Sequence, residues 1–280
     1  MFLQQAWSVI KTPEFRLKEY FHRRPDPKFD WSFCSGGDAA QAAKWSATLE
    51  NDGIVMLPNY FQGEMLTELQ SAFDHCLEGK PCPLNPESFQ NDDFFTSSPV
   101  FLKAALDPKL LQLMAGYYKK KFALGRSSAQ RLLPKDTGRY GSYQWHHDTR
   151  GRQLHMMILL KDLADDGQRM SYLTQSHHTY YSFLRGRGQG SRFDNDLRED
   201  PSLKERIIEV AGPAGTVAIF DANGLHSGNR NTNGGRDAVT FCYVSVRHWK
   251  PLRYVKSEVD ALEEPFRQVV TFNPKHELVD

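Results

Sequence analysis

The sequence predicts a mainly β domain, a sandwich or jelly roll, with helices packed on its outside. Three observations carry this. From Phe122 onward, short apolar runs alternate with Gly/Pro/Asn turn clusters, as in all-β architectures. Upstream lie two amphipathic segments suited to helices. No internal repeat or Pro/Ser-rich linker divides the 280 residues, so a single domain can hold a substantial core.

In chain order, residues 1–50 read as a polar helical extension, charge-rich over Lys11–Arg24 and broken at Pro25-Asp26-Pro27. A short helix is expected over Ala39–Leu49. Gly53–Pro58 is a short apolar strand closed by proline. A helix follows over Gly63–Leu77, because Met65, Leu69, Ala72, Phe73 and Cys76 fall on one face of a 3.6-residue repeat. Residues 79–98, polar and proline-containing, read as loop, and Val100–Lys120 as a second helix. Strands are expected at Ala129–Leu133, Gly141–Trp145, Leu154–Leu160, Met170–Leu173, Ile207–Val210, Val217–Phe220 and Ala238–Val246. The domain therefore spans 51–250, with 251–280 a surface tail packing on it.

Lysine and arginine total 35 against 34 acidic residues, a net charge of +1, so there is no basic field to attract nucleic acid or anionic membrane. No apolar run approaches the ~20 residues needed to cross a bilayer. The N-terminus lacks the pattern of a secretory signal. Cys34, Cys76, Cys82 and Cys242 are few and irregularly spaced, so reduced thiols and a cytoplasmic location are expected.

The segment that carries chemistry is Trp145-His146-His147-Asp148, taken with His226. In a strand, residues i and i+2 share a face, so His146 and Asp148 can point inward together while His147 faces away. His226 follows an apolar strand and the turn Asp221-Ala222-Asn223-Gly224, a strand-end position from which a ligand can project inward. Two imidazoles and a carboxylate suit Fe(II) and leave half of an octahedral site open. Arg236 stands ten positions after His226, directly after the Asn233-Gly234-Gly235 turn. Its planar fork matches a carboxylate. The chain has ten histidines, however, and a His-x-Asp alone also fits ordinary histidines.

In its ordered motifs the chain resembles the phytanoyl-CoA dioxygenase-like Fe(II)/2-oxoglutarate-dependent oxygenases over about residues 51–248. The likeness opens with Asp52-Gly53-Ile54-Val55-Met56-Leu57-Pro58-Asn59-Tyr60-Phe61 and continues through Trp145-His146-His147-Asp148 and Leu154–Leu163. Gly167–His177 is similar to the family's "Pro-Gly-Ser-His" segment, although Gln175 stands where glycine is usual. It closes with Gly215–Asp221, His226 and Arg236. The resemblance implies a double-stranded β-helix, the cupin-like jelly roll. It makes His146, Asp148 and His226 the iron ligands and gives Arg236 the distal carboxylate of 2-oxoglutarate. The implied reaction consumes O2 and 2-oxoglutarate, yields succinate, and oxidises an unactivated C–H bond of a small molecule. Hydroxylation is the first expectation, with desaturation or cyclisation as other outcomes. Halogenation is disfavoured because relatives that halogenate lack the carboxylate Asp148 supplies.

Strand alternation adds Thr240, which shares a face with Arg236, and His155, which shares one with Met157 and Leu159. Gln130 lies on a strand just upstream of the metal motif. All three are candidates to line the co-substrate cavity. Ser176-His177-His178 reads as an ordinary loop at a strand end. The basic Gly-rich run Leu184–Phe193, with Arg150 and Arg152, reads either as a solvated loop or as a lid for an anionic or carrier-linked substrate, with Tyr180, Tyr181 and Phe183 as core or pocket wall. Two other classes share the ligand set: a cupin-like isomerase or O2-only dioxygenase that does not use 2-oxoglutarate, and a non-catalytic binding module. Nucleic-acid repair is disfavoured by the near-neutral charge.

Overall fold

A computed structural model describes residue 26 and residues 37–82, 85–134, 143–148, 153–178, 192–193, 196–228, 233–245 and 251–280. Helix α1 (Gly37–Asp52) leads into strand β1 (Ile54–Leu57), followed by α2 (Gly63–Leu77). Next come β2 (Pro81–Cys82), β3 (Asn85–Asn91), α3 (Pro99–Ala105), α4 (Pro108–Tyr118), β4 (Ala123–Leu124) and β5 (Ser128–Leu132). The second half is nearly all strand: β6 (Trp145–His146), β7 (Gln153–Leu159), β8 (Met170–Leu173), β9 (Arg192–Phe193), β10 (Ile207–Val210), β11 (Val217–Asp221), β12 (His226–Gly228) and β13 (Arg236–Val244). The chain closes with β14 (Arg253–Val255), α5 (Lys256–Asp260), α6 (Phe266–Thr271) and β15 (Glu277–Val279).

Two sheets form the jelly roll. The larger runs β1-β11-β7-β13-β5-β3-β2, with β4 also on β13; the smaller runs β10-β8-β12-β6-β9. Apart from β14 with β15, the strand pairs are antiparallel, which lets one face bury a core independently of the other. Alternation sorts the residues. On β7, Leu154, Met156 and Ile158 join the helix-side core, while Met157 and Leu159 face the interior with Met170 and Tyr172 of the smaller sheet. On β13, Val239, Phe241 and Tyr243 face the helices and Ala238 the interior.

Several expectations need correction. The stretch 79–98 is not all loop, because β2 and β3 pair at the sheet edge, with β3 on β5. Its residues Asn85-Pro86-Glu87-Ser88-Phe89-Gln90-Asn91 include no β-branched side chain, so nothing local announces a strand. The helix expected over Val100–Lys120 is two helices. Pro108 cannot continue an upstream helix and instead opens a new one, capped by the Asp107 carboxylate, which accepts from the Lys109 and Leu110 amides at 3.0 and 3.1 Å. Within the expected strand 141–145, Trp145 alone among the described residues is strand, and β6 runs on to His146.

Helix α1 crosses the anticipated boundary at residue 50, burying Ala42 and Leu49 in the helix-side core. At the far end Tyr254 packs on Phe95, ring centroids 5.1 Å apart, and Val269 and Val270 are fully buried. Lys11–Arg24, Cys34, Arg150, Arg152, Tyr180, Tyr181, Phe183 and 184–191 of the basic run lie outside the described residues. Arg192 and Phe193 of that run form β9, beside β6.

Candidate metal centre

The register brings the two histidines face to face. β12 pairs antiparallel with β6, and His226 sits directly opposite His146. Their ring centroids are 4.3 Å apart. Asp148 lies two residues beyond His146, past the end of β6, and its amide donates to the Ala222 carbonyl at 2.9 Å. One turn thus supports the carboxylate through Ala222 and delivers His226 four residues later.

The tautomers follow from the partners. His146 Nδ1 donates to the Gln144 carbonyl at 2.7 Å, and His226 Nδ1 donates to the Gly224 carbonyl at 2.9 Å. A carbonyl only accepts, so both Nδ1 atoms carry the proton and both Nε2 atoms keep a lone pair. Those lone pairs meet the carboxylate: His146 Nε2 is 3.4 Å from Asp148 Oδ1, and His226 Nε2 is 3.7 Å from Oδ2. One donor atom from each of the three residues lies within 4.8 Å of the others. Donors about 2.1 Å from a shared ion on one octahedral face are roughly 3 Å apart. The two nitrogen–oxygen spacings thus fit one first-row metal ion after a contraction of less than an ångström each.

Electrostatics fit the same purpose. Burial pushes the Asp148 carboxyl upward, but the imidazoles of His146, His226 and His155, which take up protons in the acid range where the carboxyl would titrate, outweigh it and hold the group well below the ordinary carboxylate range. Burial, reinforced by His146, pushes His226 down to about 3. The group thus offers a neutral imidazole and an ionised carboxylate, the forms a metal requires.

Part-exposed positions interrupt otherwise buried strands. On β7 His155 is the one residue that is not buried; on β13 they are Arg236 and Thr240. Thr240 lies opposite Met157 on one side and Ser128 on the other; Gln130 lies opposite Ala238. Alternation puts Ser128, Gln130, Ala238 and Thr240 on one interior face, with Arg236 at its end. Asp237, facing the other way, is clamped by Arg131 Nε and Nη2 at 2.9 and 2.8 Å and by Lys161 at 2.8 Å. Gly235 lets the chain pass here, since a Cβ would stand 2.4 Å from the Leu132 carbonyl oxygen. A cavity of about 340 Å³ reaches Arg236 between Gly234 and the loop at Leu163 and Gly167.

The supports of the His226 turn were not anticipated. Asp221 is fully buried; it accepts from Tyr117 Oη at 2.6 Å and from the Asn223 amide at 2.9 Å. Ser176 Oγ accepts from the Leu225 amide at 2.7 Å, and Asn223 Nδ2 donates to the His177 carbonyl at 2.9 Å. Ser176-His177-His178 is therefore a short 3-10 turn that braces the loop leading to His226. Gly224 is needed because Tyr172, whose hydroxyl donates to the Asp221 carbonyl, leaves 2.0 Å for a Cβ. Asp221 and Ser176 belonged to the segments that carried the resemblance, which was the available signal; Ser128 gave none.

No protein-family model matches the chain. It is similar to the ectoine dioxygenase of Sphingopyxis alaskensis, 24% identical over 231 residues, covering 69% of this chain and 72% of that protein. Among solved structures, EctD from S. alaskensis with 2-oxoglutarate and 5-hydroxyectoine matches at a TM-score of 0.57 and 22% identity, over 82% of this chain and 88% of that one. HygX from Streptomyces hygroscopicus, with nickel and 2-oxoglutarate bound, matches at 0.55 and 17%, over 85% and 95%. SnoN, a non-heme alpha-ketoglutarate-dependent epimerase from nogalamycin biosynthesis, matches at 0.56 and 17%, over 73% and 83%. These likenesses bear out the jelly-roll fold and the resemblance to the phytanoyl-CoA dioxygenase-like iron and 2-oxoglutarate oxygenases. Among the described residues no helix is long and apolar enough to cross a membrane, and Cys76, Cys82 and Cys242 are free and buried.

Proposed function

We propose that the protein is an Fe(II)/2-oxoglutarate-dependent dioxygenase of hydroxylase type that acts on a small molecule. One observation carries this reading: two imidazoles with Nδ1 committed to carbonyls turn their Nε2 lone pairs onto one carboxylate. His146, Asp148 and His226 would hold the ferrous ion. When bound, iron supplies the coupling of O2 and 2-oxoglutarate decarboxylation to C–H oxidation, with succinate and CO2 as co-products.

The chain's own residues bind, orient and exclude water. The Gln144 and Gly224 carbonyls fix the imidazole tautomers, as partners beyond a ligand shell generally do. Arg236 would take the distal carboxylate of 2-oxoglutarate as a bidentate pair. Thr240, Gln130 and His155 would line the path between that clamp and the ligands. Met157, Leu159, Met170, Tyr172 and Phe220 supply the dry side of the interior. Hydroxylation is the reading we favour for the C–H step, and a cytoplasmic location accords with three buried free thiols.

The test is anaerobic addition of Fe(II) and 2-oxoglutarate, which should give a weak visible absorption band, followed by aerobic assay of succinate. Arg236→Ala should raise the 2-oxoglutarate needed for half-saturation by about 10- to 100-fold, as expected for losing charge-assisted hydrogen bonds worth ~1.5–3 kcal/mol. A wild-type protein that binds iron but neither forms the band nor turns over 2-oxoglutarate would instead be a cupin-like metalloenzyme of another reaction class.

A further inference from the structure

A third imidazole stands beside the candidate ligands. His155 Nε2 lies 3.8 Å from Asp148 Oδ2. The ring packs edge-on against Phe220, centroids 5.3 Å apart, and Phe220 and Cys242 are its cross-strand neighbours. Imidazole nitrogen is a good ligand for first-row metals, so a ring this close competes for the ion. A fourth protein ligand would occupy one of the three positions that a chelating ketoacid and oxygen need.

The structure also shows what restrains that ring. Gln153 is two residues earlier on β7, on the same face, and buried. Its side-chain amide is 2.6 Å from His155 Nε2. With the amide nitrogen facing the ring, its N–H donates into the Nε2 lone pair. With the amide turned over, Nε2 carries the proton and donates to the amide oxygen. Either arrangement withholds from a metal the lone pair it would bind.

We propose that Gln153 is a positioning residue that keeps His155 off the metal, so that the centre has three protein ligands instead of four. The inference rests on the metal centre proposed above. It explains why a buried amide, not an aliphatic residue, begins a strand whose other interior-facing residues after His155 are Met157 and Leu159.

The test replaces Gln153 with Leu, and separately with Met, two apolar side chains that cannot cap the ring. Each variant is loaded with Cu(II), which binds nitrogen sites most tightly in its series. Electron spin-echo modulation then counts coordinated imidazoles. The wild type should show two, and Gln153→Leu and Gln153→Met three. Gln153→Glu, whose carboxylate still accepts from Nε2–H, should show two, as should Gln153→Leu combined with His155→Phe. In the anaerobic visible titration, Gln153→Leu should need about ten-fold more 2-oxoglutarate. Two imidazoles in both the Leu and Met variants would overturn the proposal, and so would a third imidazole that persists without His155. Failure of the underlying metal reading would look different, as wild-type protein with no stoichiometric Cu(II) or Fe(II) binding.

Discussion

Gln175 sits in the left-handed region, φ 62°, at the corner that ends β8, with its amide bonded to the Asp52 carbonyl at 2.9 Å. This is where the resembled family carries glycine. An L side chain in that conformation costs about 1–2 kcal/mol, partly offset because glycine loses more entropy on folding. Gln175→Gly is therefore expected to be neutral or to stabilise by up to about 1 kcal/mol, read from the denaturant midpoint. A clear loss would show that the side chain outweighs the strain. The same scale explains which site residues were legible. His146, Asp148, His226 and Arg236 announce themselves because few residue types bind metals or carboxylates. Gln153 and Ser128 are common polar residues whose meaning comes from what the register sets beside them, and that register is not written locally.

At the scale of elements, α4 is tied to the turn before His226 by a side-chain hydrogen bond. Tyr117 near its C-terminal end donates to Asp221, which shapes the turn that presents His226. Tyr117→Phe leaves a buried carboxylate short of a donor, so a loss of about 1–3 kcal/mol is expected. A parallel fall in metal affinity would be seen by calorimetry; unchanged affinity would mean the turn stands without the helix.

The C-terminal elements carry a pH dependence of their own. His276 accepts the Leu252 amide at Nδ1, 2.9 Å, and its Nε2 donates to the Leu124 carbonyl at 3.1 Å. Burial lowers its pKa below the ordinary 6.5, so the unfolded chain takes up a proton more readily than the folded one. Stability from this group is thus fully present above the unfolded value and declines as pH falls below about 6.5 toward the lower folded value. His276→Gln should flatten that part of the melting-temperature profile. An unaltered profile would assign the acid sensitivity elsewhere. The periodic helix α2 and the apolar strand β7 were legible from the sequence. The strands β2 and β3 were not, because edge pairing with β5 makes them strands, not their composition.

For the whole molecule, the arrangement divides labour between faces of one sheet. The outer face, under the helices, holds the larger apolar cluster; the inner face is apolar toward β1, β11 and β7 and polar toward β5 and β13. A sandwich or jelly roll was legible because short apolar runs alternate with Gly/Pro/Asn turn clusters from Phe122 onward. The pairing of β6 with β12 was not, since two- and three-residue strands carry no periodic signal.

The central claim is that this pairing builds a single metal centre from His146, Asp148 and His226. Anaerobic calorimetric titration with Fe(II) tests it most directly. Wild-type protein should take up one ion per chain, and His146→Ala, Asp148→Ala and His226→Ala should each abolish uptake while keeping a cooperative melting transition. Stoichiometric binding that survives all three substitutions, or no binding by the wild type, would contradict it.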